Sequence, residues 1–316
     1  MFLIFGANGR AMAQDYNNMP PWVQSFSFNF EFSDSSTGLN HDGSKVNLSE
    51  KKLRSLGLNP AQYEGDYKYT RNEASLGYVL GLPYALNFLA EVKYAQSEAK
   101  SSIKFTGDAS TDVDRAELLD SGKAQGLSEA STTFKFRPFF NRVAHFYMSL
   151  GYHYQPSAKN YDKIGETEIN DSSSFVKFES ELRIFNSSYP FFAGFRFSSL
   201  NYQTASVKLA DSTNVDQSRA VEYRFRANLA YNPVGYLIET GIERFSSKGG
   251  NLGGVSVDDG KNRYDFYVRY LDGNTENFIS GKDSYPFNWG ILIGRTILGS
   301  NTEVRTFLNL ALYTAF

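Results

Sequence analysis

The chain has 316 residues, no cysteine, 34 acidic and 32 basic residues for a net charge of -2, and 16% aromatic side chains. That balance excludes a general affinity for nucleic acid, and no stretch comes near the roughly 20 apolar residues of a membrane-spanning helix. A mean hydropathy of -0.40 still allows insertion as β-strands, because the two faces of each strand average out.

Ala11-Met12-Ala13, behind the apolar run Phe2 to Phe5, has the small-x-small pattern that precedes a signal-peptidase cut. Arg10 interrupts the run and a basic start is missing, so residues 1–13 are expected to be the remnant of a cleaved signal, with a disordered tail as the alternative. Residues 14–316 are then one domain. The lack of cysteine agrees with an exported protein that uses no disulfide framework.

From there a period-two pattern recurs along the chain. Phe26 to Phe32 puts Phe26, Phe28, Phe30 and Phe32 on one face and Ser27, Asn29 and Glu31 on the other. Arg71 to Tyr78 sets Ala74, Leu76 and Tyr78 against Arg71, Glu73, Ser75 and Gly77, then turns through Gly81-Leu82-Pro83. The next strand shows Leu86, Phe88, Ala90, Val92 and Tyr94 on its apolar face, with Glu91 and Lys93 behind them. Gly126 to Arg137 carries Glu129 and alternates Phe134 and Phe136 with Lys135 and Arg137, and a turn is expected at Pro138. Ala144 to Tyr154 returns with His145 and His153 on its polar face.

The second half repeats the scheme. Ser174 to Phe185 has Lys177, Glu179, Glu181 and Arg183 on its polar face, and Phe191 to Tyr202 has Arg196. Arg219 to Tyr231 contributes Glu222, Arg224, Arg226 and Asn228, and Tyr236 to Phe245 contributes Glu239 and Glu243. Asn262 to Tyr270 adds Arg263, Asp265 and Arg269. Phe287 to Leu298 precedes Thr302 to Phe316, where Val304, Thr306, Leu308, Leu310, Leu312 and Thr314 oppose Glu303, Arg305, Asn309, Ala311 and Tyr313.

The pattern predicts an all-β fold, a transmembrane antiparallel up-and-down β-barrel of about 12 strands with both termini on the periplasmic side. Short turns at Asn186 to Pro190 and Asn232 to Gly235 alternate with longer polar segments, the expected extracellular loops: Ser33 to Gly65, Ser97 to Gln125, Pro156 to Ser173, Gln203 to Gln217 and Ser246 to Lys261. Leu271 to Tyr285 is long for a turn and Gly299 to Asn301 is short for a loop, which leaves the count open by two. A soluble sandwich or barrel would point the apolar face inward. Two sets of aromatic residues near strand ends favour the membrane instead. One set is Trp22, Tyr78, Tyr84, Phe136, Phe140, Tyr189, Phe191, Tyr231, Tyr236, Phe287 and Trp289, and the other is Tyr94, Tyr152, Tyr154, Tyr202, Tyr223 and Tyr264.

The aromatic last residue, Phe316, closing such a strand resembles the terminal signal of Gram-negative outer-membrane barrels. The resemblance implies an outer-membrane location and assembly through the barrel-assembly machinery. Gly126 to Phe140, followed by Ser149 to Ser157, resembles the paired strands of transporter-type barrels related to the meta-pathway phenol-degradation group. Ser128 and Glu129 stand where that pattern has Gly and Asp, and Ser157 follows Pro156 where Thr-Gly is usual; a hydrophobic-compound substrate is not carried over.

The polar-face charges and histidines between Arg71 and Arg269 are the candidate pore lining, and neither sign dominates. They form either a salt-bridged ladder filling a narrow barrel or the wall of a water-filled pore; a barrel of about 12 strands lies between the filled and the open kinds. Glu179 and Glu181 are expected to face Arg224 and Arg226 across or near the lumen. Gly77, Gly151, Gly194, Gly241, Gly290 and Gly294 on the inward faces leave room or relieve strain. Asn47 to Leu56 reads as a short amphipathic helix stopped by Gly57, and Asp114 to Asp120 as a second fragment. Either one folds into the mouth or remains a surface loop.

No catalytic, cofactor-binding or metal residue is expected. His41, His145 and His153 lie in no nucleophilic constellation, and Asp108 to Asp114 lacks the spacing and glycine of a calcium loop. The function expected is passive passage of small polar or amphipathic solutes, with the bilayer, the assembly machinery and a small solute as partners. The rivals are a nonconducting structural or surface-interaction barrel and, less favoured, an outer-membrane enzyme.

Overall fold

A computed structural model describes residues 21–55, 58–106, 121–141, 143–156, 173–186, 188–208, 214–232, 236–248, 250–252, 255–257, 260–272 and 288–315. The expected remnant 1–13, the fragment Asp114 to Asp120, Phe287 and Phe316 lie outside them. Twelve long strands follow one another: β1 Gln24–Leu39, β2 Tyr67–Leu82, β3 Leu86–Ser101, β4 Gly122–Phe140, β5 Ala144–Tyr154 and β6 Phe175–Phe185, then β7 Phe191–Tyr202, β8 Glu222–Tyr231, β9 Tyr236–Ser247, β10 Lys261–Asp272, β11 Asn288–Ser300 and β12 Thr302–Ala315. Each pairs antiparallel with its sequence neighbours, and β12 pairs with β1 from Ser25↔Ala315 to Leu39↔Thr302. Closure leaves no edge, the condition for strands in hydrocarbon.

The distribution of polarity inverts that of a soluble protein. Leu298 is 64% exposed and Leu76 58%, whereas Glu239 is 2% exposed and Arg183 3%. A soluble barrel would bury the leucines; here the outer wall faces hydrocarbon and the charges face the interior. At the end that holds both termini a run of rings crosses the five strands β7 to β11: Phe191 to Tyr231 at 4.8 Å, Tyr231 to Tyr236 at 6.2 Å, Tyr236 to Tyr270 at 6.1 Å and Tyr270 to Trp289 at 5.0 Å. Tyr94, Tyr152, Tyr154 and Tyr223 are exposed toward the opposite, loop end. Tyr202 is not in that girdle: it has the inward parity of Arg196, and its ring packs 5.1 Å from Phe175.

Several local expectations change. The turn after β2 is Pro83 to Ala85, with Tyr84 and Ala85 at φ 62° and 60°, because β2 continues to Leu82. Pro138 makes no turn. It lies inside β4 where the register with β5 shifts between Phe136 and Phe139, a bulge being the place a sheet tolerates a residue without an N–H. Asn141 forms the turn, its side chain accepting from the N–H groups of Val143 and Ala144. Val304, expected on the lipid face, is buried beyond a bulge at Asp34/Thr37, where the register of β1 with β12 shifts.

The count of twelve stands; of the connection Leu271 to Tyr285, all beyond Asp272 lies outside the described residues. Asn301 alone joins β11 to β12 at φ 50°, a conformation asparagine tolerates. Four of the expected loops carry short strands: Lys45–Asn47 pairs with β1, Tyr63–Glu64 with Lys104–Phe105, and Ala205–Lys208, Asn214–Ser218, Gly250–Leu252 and Val255–Val257 form a four-stranded sheet at the loop end. Two of the inward glycines leave no room of their own: Gly241 stands in register with Tyr267 and Gly294 with Phe307, and those side chains lie over them.

Candidate functional site: the lumen wall

Strand alternation brings the candidate charges onto one inner surface, and register aligns them. Glu181, Arg196, Arg226, Glu243, Asp265 and Thr296 form one row across β6 to β11. Arg196 Nη2 lies 3.0 Å from Glu181, which also takes Arg183 Nε at 2.5 Å and has Lys135 Nζ at 3.6 Å. Arg226 donates to Glu243 through Nε at 2.8 Å and Nη2 at 2.5 Å. Asp265 accepts from Arg263 at 2.8 Å and from Thr296 at 2.7 Å.

The other arc is equally paired. Arg71 meets Glu73 at 2.7 Å, and Lys93 lies between Glu91 at 3.7 Å and Glu129 at 3.1 Å. His153 Nδ1 is 2.9 Å from Glu129, and its ring stacks on Phe175 at 4.5 Å. Lys177 pairs with Glu179 at 2.7 Å, and Ser198 donates to the same carboxylate at 3.2 Å. Glu239 accepts from Tyr267 at 2.6 Å with Arg269 at 3.6 Å, and Arg224 has Glu222 at 3.8 Å. His145 is buried against Phe185, 3.2 Å from the Tyr147 hydroxyl.

The expected opposition of Glu179 and Glu181 to Arg224 and Arg226 is replaced by these pairs. Arg196 on β7 stands in register between Glu181 and Arg226 and takes the carboxylate itself. Arg219, Arg305 and Glu31 join the wall although they stand outside the expected lining: Arg219 precedes β8, Arg305 lies near the start of β12, and Glu31 lies mid-strand on the polar face of β1.

The wall is not uniformly dry. Lys135, Glu181, Arg183 and Glu239 side chains are at most 7% exposed, whereas Arg224 retains 43%, Lys177 32%, and Arg71 and Glu91 29%. On the terminus side of the charges, Phe192, Ala230, Leu237 and Leu271 form an apolar cluster on the same inward parity.

At the loop end the expected helix exists as α1, Leu48–Ser55. Leu48, Leu53 and Leu58 pack with Tyr63 against Tyr67 and Ala99, which share the inward parity of Arg71 and Lys93. The segment therefore turns back over the mouth above β2 and β3. Lys51 Nζ donates to the carbonyls of Leu39 at 3.2 Å and Thr302 at 2.8 Å, and Lys52 pairs with Glu303 at 3.4 Å. Burial of its ammonium pushes the Lys51 pKa down to about 8.

No protein-family model and no curated protein matches the chain. Among solved structures it is similar to the COG4313 outer membrane channel from Pseudomonas putida F1, with 14% identity and a TM-score of 0.69 over 96% of this chain and 98% of that one. It is also similar to the translocator domain of the autotransporter NalP from Neisseria meningitidis, with 8% identity and a TM-score of 0.50 over 97% and 93%. At these identities the likeness concerns the fold. Closed twelve-stranded topology and an apolar outer wall define a membrane-spanning β-barrel, the fold these outer-membrane proteins share.

Proposed function

We propose that the protein is a passive outer-membrane channel for small polar or amphipathic solutes, with its termini periplasmic and its long connections outside. The observation that carries this reading is the accessibility of Arg224, Lys177, Arg71 and Glu91 on the inward face. Charges that face away from lipid and stay that open need water beside them. The similarity to a barrel described as a channel supports the reading, and α1 over the mouth supports a size filter. Phe316 is proposed as the signal met by the assembly machinery.

The sealed charges around Glu181 and the apolar cluster at Leu237 favour a second reading, a nonconducting barrel that acts through its loops. Planar-bilayer recordings and liposome swelling with refolded protein separate the two. Discrete conductance steps with solute-dependent swelling are expected; a silent bilayer and no swelling would establish the nonconducting barrel.

A further inference from the structure

The lumen wall from β8 to β12 carries more guanidinium than its carboxylates can hold. Apart from the Glu239–Arg269 pair, five arginines, Arg219, Arg224, Arg226, Arg263 and Arg305, meet four acids, Glu222, Glu243, Asp265 and, from the adjoining β1, Glu31. Three of the acids are already committed. Glu243 takes two N–H groups of Arg226, Asp265 is filled by Arg263 and Thr296, and Glu222 has Arg219 at 3.4 Å.

Arg224 and Arg305 are what remains. The nearest carboxylate oxygens lie 3.8 Å from Arg224, at Glu222, and 3.8 and 4.0 Å from Arg305, at Asp265 and Glu31, beyond hydrogen-bond reach. Neither guanidinium donates a hydrogen bond among the described residues, and the Nε of each is buried without a partner. Both side chains are open to the lumen, at 43% and 35%.

Each also lies near an aromatic ring: Arg224 and Arg263 are 5.8 and 5.2 Å from the Phe245 ring, and Arg305 lies over Phe307 at 4.9 Å. A ring beside a guanidinium leaves its N–H groups free for an oxyanion, which arginine binds in bidentate fashion.

We propose that this arc is a binding site for a small solute bearing a carboxylate or phosphate group, held by Arg224 and Arg305 with Arg263 between them. The proposal rests on the channel reading for its part in transport, and the binding itself does not. Inside a confined wall the excess positive charge of this arc acts over a longer range than on an open surface.

Titration calorimetry on detergent-folded protein at low salt tests binding without requiring conduction, with succinate and inorganic phosphate as separate probes and chloride as the control. Saturable heat is expected for at least one oxyanion and not for chloride, weakened at least tenfold by R224Q/R305Q and retained in part by R224K/R305K. Heat-modifiable migration on gels verifies folding, and single R224Q and R305Q variants serve if the double variant fails it. No saturable heat in the native protein, or equal affinity in a folded glutamine variant, would overturn the site. Binding without conductance would instead leave the site standing and remove the channel.

Discussion

Arg226 and Glu243 stand opposite one another on neighbouring strands, and a single carboxylate oxygen, Oε2, receives both Nε and Nη2 of the guanidinium. Either partner alone would leave a charge in the wall without its counter-ion, whereas removing both leaves none. Arg226→Met and Glu243→Met are each expected to lower stability by about 3 kcal/mol, the low end of the usual cost because the lumen is partly hydrated. The double variant is expected to lose less than the two single losses together. Urea titration of the folded band in vesicles checks this, and strictly additive losses would mean the two charges are solvated independently.

Leu310 and Asn309 are adjacent on β12, and only Leu310 belongs to the lipid-facing set, 42% exposed on the outer wall. Leu310→Arg is expected to cost roughly 2–4 kcal/mol if it lies near the bilayer midplane. Asn309→Arg points into the hydrated lumen and is expected to cost distinctly less. Equal loss of the folded band in both variants would show that the facing of β12 is inverted.

At Gly241 an added Cβ would meet the Ala227 carbonyl oxygen at 2.6 Å and the Tyr267 hydroxyl at 2.7 Å. Backbone cannot give way, so Gly241→Ala is expected to destabilise the barrel by about 1–3 kcal/mol. At Gly194 the obstructing atoms belong to the Asn228 side chain, which can rotate. Gly194→Ala is therefore expected to be tolerated better, read in the same urea titration.

The barrel was legible because lipid and water impose the period of two on each strand. Phe26 to Phe32 or Val176 to Arg183 suffices to tell the faces apart. What the pattern does not carry is which charge meets which, because cross-strand register depends on turn lengths and bulges. Pro138 illustrates this: read as a turn, it is a bulge that moves β5 along β4. Alternation put Arg305 on the polar face but not its partners, and Lys51 had no local signal, since these contacts arise from strands and a loop far apart in sequence. The four-stranded sheet at the loop end left only a faint trace, the spaced valines Val207 and Val215 in an otherwise polar stretch.

Lys51 predicts a pH dependence of the cap. Its pKa falls to about 8 on burial, from 10.5 for a free lysine, with Glu303, Lys52 and Lys261 as the charges facing it. The unpinned loop then binds more protons than the pinned one between about pH 8 and 10.5, so the cap becomes more stable as pH rises through that window. Hydrogen exchange of α1, corrected for its intrinsic pH dependence, is expected to slow across the window in the native protein and to stay level in Lys51→Met. Competitive amine acylation read by mass spectrometry is expected to give Lys51 a midpoint near 8. A midpoint equal to that of exposed Lys45 would remove the explanation.

The proposed sidedness is open to a direct test because the chain contains no cysteine. Asp42 lies in the exposed turn ahead of α1 at the loop end, and Ser188 in the exposed turn between β6 and β7 at the end of the termini. The two ends are separated by the full barrel, since strands such as β2 and β3, at 16 residues each, exceed the roughly 9–11 needed to cross. With termini periplasmic, Asp42→Cys is expected to react with a membrane-impermeant maleimide on intact cells, whereas Ser188→Cys reacts only after the outer membrane is opened. Both positions are exposed turns, so neither substitution disturbs the wall, and gel migration verifies the fold. Labelling of Ser188→Cys alone on intact cells would invert the barrel and put α1 and its lysine latch on the periplasmic side.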